Sequence, residues 1–64
     1  MRKKVKEMID ILEADGWFLC RQKGSHKQYS HLTKTGIVTV PDHGKNEELE
    51  HFLVSSILKQ AGLK

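Results

Sequence analysis

The 64-residue sequence has one cysteine, one proline and one tryptophan, and no acidic residue anywhere between Gly16 and Pro41. Each scarcity removes a class of explanation. A lone Cys20 rules out an internal disulfide and any zinc cluster built on cysteine pairs. Its neighbours Phe18 and Leu19 are apolar, so it is expected as a small buried or half-buried core residue. The longest apolar run, Trp17 to Cys20, falls far short of the roughly 20 residues a membrane-spanning helix needs. The opening MRKKVKEMID is basic with no apolar segment behind it, which is not the pattern of a secretory leader. A soluble, cytoplasmic chain is expected, with no membrane association. Apolar residues make up 38 % of the sequence, a thin supply for one core, so a partner could contribute to stability. The length allows a single domain, residues 1–64, without room to enclose a small metabolite; a polymer lying across the surface suits it better.

What is present is a segregated set of charges. The net charge is +3. Residues 1–15 are balanced between basic and acidic groups, whereas Arg21, Lys23, Lys27 and Lys34 stand in the acid-free centre. Asp42, Glu47, Glu48 and Glu50 then make the next stretch acidic. A wholly basic segment followed by an acidic one points to a surface for a polyanion beside one of opposite sign.

Val5, Met8, Ile9 and Leu12 recur at i, i+3, i+4 and i+7, which predicts a helix over about Lys3 to Asp15, closed by Gly16. Trp17 to Arg21, His26 to Leu32 and Ile37 to Val40 read as three strands, separated by turns at Lys23-Gly24-Ser25 and Thr33 to Gly36. Pairs joined this tightly form an antiparallel meander. Alternation sets His26, Gln28 and Ser30 on one face and Lys27, Tyr29 and His31 on the other. A second helix is expected from Asn46, as N-cap, to Ala61, with Leu49, Phe52, Leu53 and Ile57 as its apolar stripe and Gly62 beyond its end. The order α-β-β-β-α predicts an α+β fold, two helices on one face of a three-stranded antiparallel sheet.

The chemistry concentrates at RQKGSHKQYSH, residues 21–31. An imidazole takes and gives a proton near neutral pH, and cations beside it favour the neutral form that a general base needs. Gly24 has no side chain to keep a phosphate from the backbone. RNA carries its own nucleophile, so one histidine with Lys or Arg to stabilise the phosphorane is a minimal kit for cleaving it. On the residues alone, His26 is a general base, a polar contact on a nucleic-acid surface, or a turn residue, and the choice stays open. A second acid is equally open among His31, Lys27 and water. His26, His31, His43 and His51 are spaced five, twelve and eight apart, which matches no compact ligand pair, so neither metal nor cofactor is expected. Trp17 and Tyr29 are the aromatics considered for stacking on bases, with core packing the default for both.

Three stretches, GWFLCRQKGSHKQYSH, VTVPDHG and SILKQAGL, occur in register and resemble the HicA (YcfA-like) mRNA interferase toxins from Val5 to Leu63. The resemblance implies a double-stranded-RNA-binding-like α-β-β-β-α fold and metal-independent endoribonuclease activity on messenger RNA in the bacterial cytoplasm. It also implies neutralisation by a cognate HicB-type antitoxin. The family's catalytic histidine falls on His26, with Gly24 and Ser25 as the turn presenting it. Arg21, Lys23 and Lys27 are then expected, with that turn, to contact RNA. A non-catalytic RNA-binding module is the alternative.

Overall fold

A computed structural model describes residues 2–44 and 46–64. The first periodic stretch forms helix α1 (Val5–Ala14), and Val5, Met8 and Leu12 on its inner stripe are fully buried. At its start the Lys4 backbone N–H donates to Glu7 Oε1 at 2.9 Å, satisfying a donor the helix cannot reach. At its end Gly16 N–H donates to the Glu13 carbonyl and Trp17 N–H to the Leu12 carbonyl, each at 3.0 Å. This is a Schellman motif, and Trp17 and Leu12, the two residues its longer bond joins, both belong to the core. Gly16 takes a φ of +99°, and a Cβ there would sit 2.9 Å from His31 Nε2, so both backbone and space require glycine.

Strands β2 (Phe18–Lys23), β3 (His26–Ser30) and β4 (Val38–Pro41) form the expected antiparallel meander in the order β2-β3-β4. It is preceded by a two-residue strand, β1 (Lys3–Lys4), which pairs not with the meander but with β5 (Glu48–Leu49). Helix α2 (His51–Gln60) completes the chain and ends in the same motif as α1, with Gly62 N–H on the Lys59 carbonyl and Leu63 N–H on that of Leu58. The α+β arrangement and both glycine-capped helix ends match the sequence expectation.

The start of the second helix does not. Asn46 is not its N-cap; Glu50 is, in extended conformation. Residues 47–49 are held by the other end of the protein: Val5 N–H donates to the Glu47 carbonyl at 2.9 Å, and Lys3 and Lys4 pair with Leu49 and Glu48. Glu47, Glu48 and Glu50 therefore stand outside the first turn, and Leu49 reaches the core from a strand. The buried stripe of α2 is Val54 and Ile57, continued by Ala61, while Phe52 is 62 % exposed.

One face of the meander carries the core. Tyr29, Val38 and Val40 pack there with Val5, Met8 and Leu12 of α1, Val54 and Ile57 of α2, and Trp17, Leu49 and Ala61. The opposite face has no layer over it among the described residues. No helix among the described residues is long and apolar enough to cross a membrane.

Candidate nucleic-acid interface

The bare face is organised by the connection between β2 and β3. Lys23 pairs with His26, leaving Gly24 and Ser25 as a two-residue turn. Gly24 has a φ of +59°, while no non-glycine residue described has a positive φ. Glycine with positive φ at the first central position is the pattern of a type II′ turn, whose twist matches that of the strands it joins. The turn is tied on both sides: Gln22 Nε2 donates to the Gly24 carbonyl at 3.1 Å, and Asp42 N–H donates to the Ser25 carbonyl at 2.6 Å. On β4, Pro41 lies opposite His26. His26 thus opens the central strand of the sheet, pinned between two neighbours. Its side chain is exposed and makes no hydrogen bond or ion pair among the described residues.

A bulge decides which cations share that face. Leu19 pairs with Tyr29, but Arg21, not Cys20, is the next paired residue, opposite Gln28. Cys20 is the extra residue, with Sγ donating to the Gln28 carbonyl at 3.3 Å and accepting from Ser30 Oγ at 3.1 Å. Strict alternation from Phe18 would have sent Arg21 and Lys23 to the helix side; the extra residue turns them onto the face of His26 instead. The bare face then carries Phe18, Cys20, Arg21 and Lys23 from β2, His26, Gln28 and Ser30 from β3, and Thr39 and Pro41 from β4, with no acid among them. Neither Arg21 nor Lys23 has an ion-pair partner among the described residues. The expectation that Cys20 lies in the core is corrected by the same feature: as the bulged residue it is exposed.

The structure brings Arg21, Lys23, Gly24, Ser25 and His26 together at one end of the sheet. It does not bring Lys27 with them. Lys27 alternates to the helix side, where its Nζ lies 2.6 Å from Asp42 Oδ2. Hydrogen bonding to Asp42 raises the Lys27 ammonium above its ordinary pKa, and the same bond holds the Asp42 carboxyl below its own. Lys34 is engaged likewise: its Nζ lies 2.5 Å from Asp15 Oδ2 and donates to the Ala61 carbonyl at 3.0 Å, joining the ends of both helices. The Asp15 carboxyl is lowered chiefly by that bond. The acid-free segment is thus flanked by two aspartates that fold back onto two of its four cations.

His31 also belongs to the framework. Its Nδ1 accepts from the backbone N–H groups of Thr33 and Lys34, both at 3.1 Å, so Nε2 carries the proton and donates to the Asp15 carbonyl at 2.7 Å. The ring stands edge-on to Trp17 with centroids 5.2 Å apart. Trp17 and Tyr29 are each only 2 % exposed, so neither presents a ring for stacking. The aromatic that the sequence reading passed over is Phe18, 45 % exposed on the bare face. Among the described residues, no three His, Cys, Asp or Glu side chains come together as a group able to hold a metal ion.

A helix-flanked meander with one bare, acid-free face that carries Arg21, Lys23 and His26 defines a small α+β protein with a basic surface. The family model described as the HicA toxin of bacterial toxin–antitoxin systems matches residues 5–63, nearly the whole chain, and the protein belongs to that family. Membership implies an antitoxin as partner. No curated protein sequence matches it.

Proposed function

We propose that the protein is the ribonuclease toxin of its toxin–antitoxin pair, cutting messenger RNA at the bare face with His26 as general base and no metal. The observation that carries this reading is the environment of His26: an exposed imidazole without a partner among the described residues, on an acid-free face beside the unpaired Arg21 and Lys23. In the proposed step His26 takes the proton of a ribose 2′-OH, and the 2′-oxygen attacks the adjacent phosphorus. The bond from phosphorus to the 5′-oxygen breaks, and that oxygen takes up a proton. One product ends in a 2′,3′-cyclic phosphate and the other in a 5′-OH. Arg21 and Lys23 stabilise the extra negative charge of the phosphorane, and Gly24 and Ser25 let the backbone approach the strand. Lys27 contributes to RNA contact only from behind the turn, sharing its charge with Asp42. The partner is then a HicB-type antitoxin whose acidic surface covers this face, with charge complementarity setting a fast on-rate.

A non-catalytic RNA-binding module is the competing reading. In its favour, the two side chains considered as general acid stand elsewhere: His31 is bonded through both nitrogens, and Lys27 lies on the other face. Inducible expression separates the two. Wild type should arrest growth and yield transcripts with cyclic-phosphate ends, in cell extract and in purified form with EDTA present. His26→Ala should do neither while still binding RNA. Cleavage by His26→Ala at the wild-type rate sinks the assignment, and wild-type binding without cleavage favours the module.

A further inference from the structure

From the bare face we infer a second subsite for RNA, in which Phe18 is a platform for an unpaired nucleobase and selects single-stranded substrate near the cut. The inference rests on the ribonuclease reading above and extends it from phosphate contact to base contact.

Phe18 is 45 % exposed although the core lies one strand away. It lies on an edge strand exposed on both sides, Leu19 on the helix side being 46 % exposed, and its register sets which face it takes. Phe18 pairs with Ser30, whose chain neighbour Tyr29 fills the core side, so Phe18 faces outward with Ser30. Beyond the bulge, Arg21 and Lys23 continue along the same strand and the same face. One edge strand therefore presents an aromatic ring, then two cations, and ends beside His26. Ile37, 49 % exposed, precedes β4 at the Phe18 end, so that end is apolar where the turn end is basic. A strand of nucleic acid has the same two-part chemistry, since every base offers a π-face and every linkage a charge. The ring followed by two cations along one strand matches the bases and linkages of a polynucleotide in turn, and contact of the ring with the antitoxin instead is an outcome of the test below.

The spacing fits too. Ser30, level with Phe18, is four residues along β3 from His26, or about 13 Å at the ~3.3 Å rise of a strand. That is about four nucleotides of a stacked strand at ~3.4 Å each, and fewer with the bases splayed. A duplex cannot use the ring, because its bases are already stacked and paired. The platform therefore favours unpaired RNA and fixes its register a short, constant distance from the attacked phosphate.

The test uses the intact protein and an unpaired 2′-O-methyl RNA of about 12 nucleotides, long enough for one such site. Methylation blocks the internal nucleophile, so binding is read without cleavage. A second probe has the same ribose–phosphate backbone without bases. Phe18→Ala should weaken binding to the first probe roughly 5- to 150-fold, the range for one stacked base, with an unchanged salt slope and little effect on the second. Phe18→Trp should bind as well as wild type, and Phe18→Leu as poorly as alanine. The inference is overturned by equal loss on both probes, by rescue with leucine, or by an unchanged Kd for Phe18→Ala. If Phe18→Ala weakens the antitoxin complex and leaves RNA binding intact, the ring is a protein contact and the inference also fails. Wild-type protein that binds neither probe removes the ribonuclease reading and this subsite together; wild-type binding indifferent to Phe18 removes the subsite alone.

Discussion

His26 opens β3 and His31, five residues on, directly follows its last residue, and the fold treats them in opposite ways. His31 uses both ring nitrogens, bridging the Asp15 carbonyl and the N–H groups of Thr33 and Lys34 while packing edge-on against Trp17. His26 is exposed and contributes neither nitrogen to the described framework. The cations divide along the same line. Lys27 and Lys34 are held by Asp42 and Asp15, whereas Arg21 and Lys23 have no ion-pair partner among the described residues. A side chain already satisfied by the fold offers a substrate nothing without first breaking a bond; an unsatisfied one on an acid-free face is available. Residue type does not distinguish these pairs, but surroundings do.

The largest expected effect follows for His26. General acid–base participation is typically worth about 10²–10⁴ in rate, so His26→Ala should lose that much cleavage activity on purified RNA. Its stability should change by less than about 1 kcal/mol, because the ring packs on nothing in the core. His31→Ala should reverse the pattern. It removes the hydrogen bonds at both ring nitrogens and a ring from the junction of α1 and the β3–β4 connection, a loss of roughly 2 kcal/mol in chemical denaturation. Cleavage per folded molecule should stay within about threefold of wild type, against the far larger loss at a catalytic group. If both variants lost activity without losing stability, the division between a reactive and a structural histidine would be wrong.

How far the sequence could anticipate this depended on whether the deciding interaction was local. The periodicity of Val5, Met8 and Leu12, the glycines after each helix and the Gly24-Ser25 turn are all settled within a few residues, and each was legible. Asn46 to Glu50 also obeys the local rules for a helix start, but its backbone is taken by Lys3, Lys4 and Val5 from the far end of the chain. The bulge at Cys20 arises from pairing between strands and carries no glycine to advertise it, so the face of Arg21, Lys23 and Phe18 was not legible. The turn behind His26 was readable, while the ring bonds that fix His31 reach across 16 positions to Asp15. Segregated charges suggested an unopposed basic segment, yet both flanking aspartates return to it in three dimensions.

A smaller effect sharpens the same division among the lysines. Each phosphate contact released should lower the slope of log Kd against log salt by about one. Lys23→Gln should therefore weaken RNA binding and lose about one unit of slope. Lys27→Gln should change the slope by less than half as much, because its charge is already opposed by Asp42 at 2.6 Å. Equal losses of slope would mean that bound RNA draws Lys27 away from Asp42, and would extend the interface around the turn.

The smallest effect is the pH dependence of stability, and it separates the two ion pairs. Asp15 and Asp42 are both held below the ordinary carboxyl value of 3.8, chiefly by hydrogen bonds from Lys34 and Lys27. A depressed folded pKa gives stability that is present above 3.8 and lost as pH falls through the folded value. Lys27 is raised above 10.5, so its contribution is present below that value and lost as pH climbs past the folded one. These groups should therefore leave stability flat between about pH 5 and 9 and weaken it on either side. Asp15→Asn should flatten part of the acid limb and leave the alkaline limb alone. Asp42→Asn should flatten another part of the acid limb and also remove the Lys27 contribution at high pH, since its main cause has gone. The side chains of both pairs are only partly exposed, 22 % and 9 % for Lys27 and Asp42 and 35 % and 27 % for Lys34 and Asp15. Salt weakens such pairs near the surface, so the changes are best read as slopes of melting temperature against pH at low salt. An alkaline limb that persists unchanged in Asp42→Asn would place the origin of that limb outside the Lys27–Asp42 pair, with Tyr29, whose hydroxyl is pushed by burial above its ordinary value of 10.0, as the next group to test.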